Sequence, residues 1–555
     1  MPTDIEIAQS VTPRPIADVA ADLALSAGEY ELFGRHKAKI ALSVLDRLQD
    51  RPNGKLVLVT AITPTPAGEG NTTMTVGLAQ GLNRIGTRCV AALREPSLGP
   101  VFGQKGGATG GGWSQVLPME EINLHFTGDL HAITAANNLL AALIDNHLQS
   151  GNALRLEPRT LTWKRCLDMN DRALRDILTG LGGKSEGVPR ETGFEITAAS
   201  EVMAVLCLSE GIADLKERLR RIVVGTNTEN EPVTAGELQA VGAMTALLKD
   251  ALMPNLVQTI EGTPAILHGG PFANIAHGCN SVLATRLALK LGDVCVTEAG
   301  FGADLGAEKF LDIKMRQSGL APSAAVVVAT IRALKFHGGV GPDAFKTENV
   351  AAVEAGFANL ERHITNLRKF GLPVVVAINR FTDDTEAEIA ALRARCAAVE
   401  APVALANVWG EGGKGAEELA RLVLDALESG ADFRFLYPDE MPLRRKIETI
   451  AREIYRAEKV EFAPAAVNRL AYLRRRGYDR LPVCIAKTQY SFSDDPERRG
   501  APTGHSLTIR DVKLSAGAGF VVAYAGTLLT MPGLPKRPAA VDIDTDEQGV
   551  ITGLF

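Results

Sequence analysis

The chain has no apolar run long enough to span a membrane; the longest, such as Ala324–Thr330, have the length of a strand. Its start, Met1-Pro-Thr-Asp-Ile-Glu-Ile, has neither the basic nor the apolar region of a secretion signal. Basic charge is in deficit: 59 Lys and Arg against 65 Asp and Glu leave a net charge of −6 over 555 residues. Nucleic acids select a basic footprint, so no nucleic-acid partner is expected, and no membrane partner either. The seven cysteines, at 89, 166, 207, 279, 295, 396 and 484, form no C-x-x-C pair and no Cys/His grouping with metal-ligand spacing. That pattern excludes a disulfide framework and fits reduced, buried cysteines of a cytoplasmic protein. Internal repeats and low-complexity segments are absent as well. What remains is the composition of a soluble enzyme, 46% hydrophobic and 22% charged, long enough for two to four domains.

Short apolar runs alternate with helical patterns through most of the chain. The runs include Leu56–Ile62, Cys89–Leu93, Ala265–Leu267, Val294–Thr297, Ala325–Thr330, Val374–Ile378 and Val483–Ala486. Several are rich in Val and Ile with no polar alternation, which marks strands buried on both faces. Helical segments such as Thr72–Ile85 and Ile133–Leu148 lie between them. The pattern predicts an α/β fold: a doubly wound, mostly parallel sheet with a phosphate loop and smaller appended α/β domains. Residues 1–365 are read as the nucleotide-binding part, with an inserted lobe around 170–260, and 366–555 as further α/β domains. Composition shifts that would mark these boundaries are mild.

The segment Leu56–Thr73 reads as a buried strand, a Gly-rich turn and a helix opening on two threonines. Thr65, Pro66, Ala67, Gly68, Glu69, Gly70, Asn71, Thr72 and Thr73 are the candidate phosphate-binding residues, because such a turn presents backbone N–H groups and a helix N-terminus to an anion. The phosphate loop ordinarily ends Gly-Lys-Ser/Thr; here Asn71 stands at the lysine position. Thr72 takes the place of the hydroxyl that faces Mg²⁺. Arg94 and Glu95 follow the strand Cys89–Leu93 and would lie beside the loop if the first two strands are neighbours. An arginine there suits a phosphate or carboxylate; the alternative is an ion pair with Glu95 or another acid. The glycine-rich segment Gly99–Gly112 contains Lys105, an alternative source of the missing positive charge. His125, Asp129 and His131 match no standard metal-ligand spacing and are read as non-ligands. Phe381 and Trp409 lie at or beyond the ends of candidate strands, as core residues or as a flat binding slot.

Together these blocks resemble the formate–tetrahydrofolate ligases over nearly the whole length. The resemblance is carried by Thr65–Gly70, Arg94–Pro100, Pro118–Asp129, Ala136–Ala142, Pro271–Asn280, Glu298–Asp304, Ala486–Tyr490, Leu514–Gly519 and Met531–Lys536. It implies ATP-dependent ligation of formate to tetrahydrofolate through formyl phosphate, giving 10-formyltetrahydrofolate, ADP and phosphate. It implies catalytic roles for Arg94, Asn71 and Glu95, stacking of Phe381 and Trp409 on the pterin, and Mg²⁺ at Thr72. A homotetramer and activation by a monovalent cation, K⁺ or NH₄⁺, are part of the same expectation.

The chain departs from the family pattern at Asn71, at Trp113, where tyrosine is expected, and at His505. Loss of the lysine predicts slowed turnover with the fold intact. The alternatives are a catalytically impaired nucleotide- and folate-binding protein of the same fold, or a phosphate-loop ATPase of another family.

Overall fold

The valine-rich runs become strands because their alternate side chains enter two different cores. In the strand Ala324–Ala329, Ala325, Val327 and Ala329 join one cluster, while Ala324, Val326 and Val328 join the cluster on the other face. Lys55–Ala61 divides the same way, with Leu56 and Leu58 on one side and Val57, Val59 and Ala61 on the other. Helices cover both faces, so no position needs a polar residue, and each buried aliphatic side chain contributes about 1.5–3 kcal/mol. The computed structural model describes residues 2–104 and 107–555; Lys105 and Gly106 lie outside the described residues.

The large sheet contains twelve strands: β1 (Tyr30–Leu32), β2 (Ala38–Ile40), β3 (Lys55–Ala61), β4 (Cys89–Leu93), β5 (Gly110–Gly111), β6 (Ser114–Leu117), β7 (Asn255–Thr259), β8 (Pro264–Leu267), β9 (Val294–Gly302), β10 (Ala324–Ala329), β11 (Val374–Asn379) and β12 (Val403–Ala406). Their order is β1-β2-β7-β8-β4-β9-β3-β10-β11-β12, with β6 joining β5 to β7. From β8 to β12 every neighbouring pair is parallel; the pairs from β1 to β8 are antiparallel. The expected mixed α/β architecture with a large, mostly parallel sheet is therefore present, accompanied by several small sheets. One neighbour relation differs from expectation: β3 and β4 do not touch, because β9 lies between them and pairs with both.

From β3 the chain crosses to β4 on one side, and from β9 it crosses to β10 on the other. Such a reversal opens a crevice at the strands' C-terminal ends, where ligands of open α/β sheets bind. The turn after β3, Arg94 after β4 and the end of β9 all border it.

Between residues 150 and 260 lie the helices Glu201–Leu208, Ile212–Arg221 and Val241–Leu248 and three two-stranded pairs. Beyond residue 440, the helices Leu443–Glu453 and Pro464–Arg475 accompany a three-stranded sheet that includes Val483–Ala486. All seven cysteines are buried and free. Among the described residues, no helix is long and apolar enough to cross a membrane.

Candidate active site

The turn after β3 is held open by its own glutamate. Glu69 is buried; its Oε1 accepts from the Thr65 N–H at 2.6 Å, and its Oε2 accepts from the Thr330 hydroxyl. Burial raises its carboxyl pKa, against the pull of the Arg332 guanidinium. Thr63 is bracketed from outside the turn: its N–H donates to Asn359 Oδ1 at 3.2 Å and its carbonyl lies 2.7 Å from His337 Nε2. Burial pushes the His337 imidazole down to about 4, so it is neutral. Pro66 and Ala67 form the exposed tip. Gly70 has φ of 81°, left-handed, and a Cβ there would sit 2.6 Å from Asn379 Nδ2, so only glycine serves. The helix Asn71–Arg84 then begins with no side-chain cap. Its first N–H groups point, with the positive end of the helix dipole, toward the crevice.

The first helical side chains are already engaged. Asn71 Nδ2 donates to the carbonyls of Ala299 at 3.2 Å and Phe301 at 3.1 Å. The Thr72 hydroxyl donates to Glu298 Oε2 at 2.7 Å, and Arg94 Nε donates to Glu298 Oε1 at 3.1 Å. Glu298 is fully buried and thus joins the helix start to the end of β4. Among the described residues, Arg94 Nη1 and Nη2 make no hydrogen bond. Arg94, Thr72, Gly300, Phe301 and Gly270 line one cavity of about 200 Å³. A Cβ at Gly300 would come within 2.7 Å of Arg94 Nη1, so the glycine lets the guanidinium approach the end of β9 closely. The strand bulges there: the register with β3 shifts between Glu298 and Gly302, and Phe301 takes φ of 61°. Such a conformation costs a non-glycine residue strain energy and needs neighbours to hold it.

Glu95, the acid named as an ion-pair partner for Arg94, is not the one; Glu298 is. Glu95 Oε1 accepts from Gly269 N–H at 3.0 Å and Asn255 Nδ2 at 3.2 Å. Burial and the nearby Asp129 charge push its carboxyl well above the usual range, while Lys39 opposes them. Lys39 and Asp129 form a buried pair at 2.7 Å. Asp129 is thus an ion-pair partner, with His125 and His131 exposed beside it. Among the described residues no group of three His, Cys, Asp or Glu could hold a metal ion. The Thr72 hydroxyl, which borders the Arg94 cavity, has different chemistry: Mg²⁺ takes one or two protein oxygens and completes its shell with water and phosphate, so a single hydroxyl there fits that ion. Lys105, the alternative source of positive charge, lies outside the described residues.

Phe381 and Trp409 follow adjacent strands, since Asn379 of β11 pairs with Ala406 of β12. Both stand at the same end of the sheet as the turn after β3. The Arg332 guanidinium lies 4.1 Å from the Phe381 ring centre and donates to the Gly68 carbonyl, which ties the turn to the aromatic side. Trp409 is half-buried; its Nε1 donates to Asp4 Oδ1 at 2.9 Å, and its carbonyl accepts from Trp113 N–H at 2.9 Å. Trp113, itself 41% exposed, therefore neighbours Trp409. His505 is buried far along the chain, and nothing in its surroundings explains the departure there. Two contributors carried no sequence-level role, Glu298 and Arg332. A lone acid closing the apolar run Val294–Thr297 was the available signal for Glu298.

Comparison with known proteins identifies the family. The family model described as formate–tetrahydrofolate ligase matches residues 2–555. A formate–tetrahydrofolate ligase of Paracoccus denitrificans is 60% identical over 555 residues, covering all of both chains. One from a Methylobacterium species is 61% identical over 558 residues, again covering both chains completely. A third, from Granulibacter bethesdensis, is 60% identical and is covered over 97% of its length. A full-length family match and full-length relatives at this identity leave one conclusion: the chain is an enzyme that belongs to the formate–tetrahydrofolate ligase family.

Proposed function

We propose that the cavity beside Arg94 is where formate meets the terminal phosphate of ATP, and that the enzyme converts formate, tetrahydrofolate and ATP into 10-formyltetrahydrofolate, ADP and phosphate. The observation that carries this reading is the state of Arg94. Its Nε is fixed by buried Glu298, its two Nη groups are unpaired among the described residues, and it borders the same cavity as Thr72. A guanidinium held in that way matches a carboxylate or an acyl phosphate with two parallel hydrogen bonds.

A carboxylate is a poor acyl donor because its oxygen leaves badly. In this reading a formate oxygen attacks the γ-phosphorus, the bond to ADP breaks, and formyl phosphate forms. N10 of tetrahydrofolate then attacks the formyl carbon, phosphate leaves, and N10 loses its proton. The residues Thr65–Thr73 hold the nucleotide phosphates through backbone N–H groups and the helix start. Arg94 neutralises charge that develops on the transferred group. Thr72 is the residue that would hold Mg²⁺, which when bound would neutralise phosphate oxygens. Glu95, satisfied within its own buried cluster, supports the segment that carries Arg94.

Phe381 and Trp409 form the pterin slot in this reading, supported by their places after adjacent strands. Asn71 supplies no charge to the phosphates, so turnover is slow. A homotetramer in the cytoplasm, activated by K⁺ or NH₄⁺, completes the proposal and rests on family resemblance alone. The test is ADP release with each substrate omitted in turn. Release that depends on both formate and tetrahydrofolate supports the ligase; release independent of both favours an ATPase of another kind.

A further inference from the structure

We propose that Asn71 is a positioning residue for the acyl-side anion: its carboxamide clamps the Ala299 and Phe301 carbonyls and so fixes the wall against which Arg94 lies. The inference rests on the ligase reading above and goes beyond the place Asn71 holds in the phosphate loop.

Asn71 is the first residue of its helix, and its backbone faces the crevice. Its side chain does not follow. Its Nδ2 donates toward β9, within hydrogen-bond distance of both carbonyls that flank Gly300. These carbonyls belong to the bulge, where the register with β3 is lost and Phe301 is left-handed. A phenylalanine keeps that conformation only where its surroundings over-determine it. Two hydrogen bonds from one planar amide, on either side of the glycine, supply such a constraint. The wall they fix is functional in position: Gly300 and Phe301 line the cavity with Arg94, and a Cβ at Gly300 would meet Arg94 Nη1 at 2.7 Å. A shift of the bulge by a fraction of an ångström therefore moves the surface on which the guanidinium rests. The clamp acts through Arg94 on the anion, whereas the nucleotide side of the turn is held separately by Glu69, Thr330 and Asn379.

The selectivity of the effect separates this role from a general structural one. Two neutral variants of the full chain serve. Asn71→Leu has similar size and no donor; Asn71→Ser carries a hydroxyl too short to reach both carbonyls. Formate is followed by its KM in ADP release and, independently of turnover, by calorimetric titration of formate into protein saturated with ADP. Nucleotide affinity is measured with ADP alone. The expected result is a tenfold or greater weakening toward formate in both measurements, with ADP affinity changed less than threefold and both variants melting as folded protein. Formate affinity within twofold of the natural chain in the folded variants would overturn the clamp. So would parallel losses of formate and ADP, which would make Asn71 a support of the whole turn. Should Asn71→Leu fail to fold, Asn71→Ser decides alone. A natural chain that binds formate yet releases no formate-dependent ADP would defeat the ligase reading. The titration would still compare natural chain and variants, so the two failures are told apart.

Discussion

Arg94→Lys is the substitution that the geometry constrains best. It keeps the charge and removes the fork. In the natural chain one edge of the guanidinium is committed to Glu298, a fully buried carboxylate, through Nε at 3.1 Å. The Nη groups remain for the substrate. A lysine has a single ammonium on a flexible stem, and the buried Glu298 competes for it directly. The variant can satisfy the acid or the anion, not both with the same geometry. Losing one charge-assisted hydrogen bond costs about 1.5–3 kcal/mol. At about 1.4 kcal/mol per factor of ten, turnover falls about 10- to 150-fold. The nucleotide is held mainly by the turn after β3, so ATP affinity changes by no more than about threefold if only the acyl side is disturbed. Steady-state formate-dependent ADP release and direct nucleotide titration, run on one preparation, give both numbers. A kinetically silent Arg94→Lys would make the Arg94–Glu298 pair purely structural. A loss of ATP affinity as large as the loss of turnover would place Arg94 on the nucleotide instead.

Asn71→Lys restores the charge ordinarily present in a phosphate loop and is expected to raise kcat on the order of 10²–10³, while formate KM rises because both carbonyl bonds are lost. A kcat within a few-fold of the natural value would refute the missing-charge argument. Trp409→Ala should weaken tetrahydrofolate binding at least two- to tenfold, from about 0.5–1.5 kcal/mol of stacking, and leave ATP binding nearly intact. Loss of neither would reduce Trp409 to a packing residue against Asp4 and Trp113. Glu201 gives a pH signature: it is buried, accepts from Gly517 N–H at 2.7 Å, and burial raises its carboxyl from 4.5 to about 7 against the Lys513 ammonium. Between those values the folded state binds more protons than the unfolded one, so stability falls as pH rises. Glu201→Gln cannot titrate; relative to the natural chain it should gain stability from pH 4.5 to 7 and then level off, as read by urea melts across that range. A pH-independent difference would refute the raised carboxyl.

The parallel half of the sheet was legible because burial on both faces removes every polar constraint from its strands. Val326–Val328 and Val374–Val376 can be nothing else at that length. The antiparallel edge was not: Ala38–Ile40 is three residues long with a lysine at its centre, and that lysine is buried with Asp129 and the Met253 carbonyl as its partners. Strand order was also hidden. Nothing local to Val294–Thr297 reveals that it inserts between the strands at 55–61 and 89–93. At the site, the Gly-rich turn and Arg94 announced themselves by residue type. Glu298 and Arg332 act across 204 and 264 residues of chain, on Arg94 and Gly68, and only the folded sheet brings those pairs together.

The central claim is that a formate oxygen is transferred to phosphate at the Arg94 cavity. Formate labelled with ¹⁸O, turned over with unlabelled ATP and tetrahydrofolate in unlabelled water, tests it directly by mass analysis of the phosphate released. The account predicts one ¹⁸O in each phosphate formed together with 10-formyltetrahydrofolate. Phosphate that carries no label while 10-formyltetrahydrofolate accumulates would contradict it.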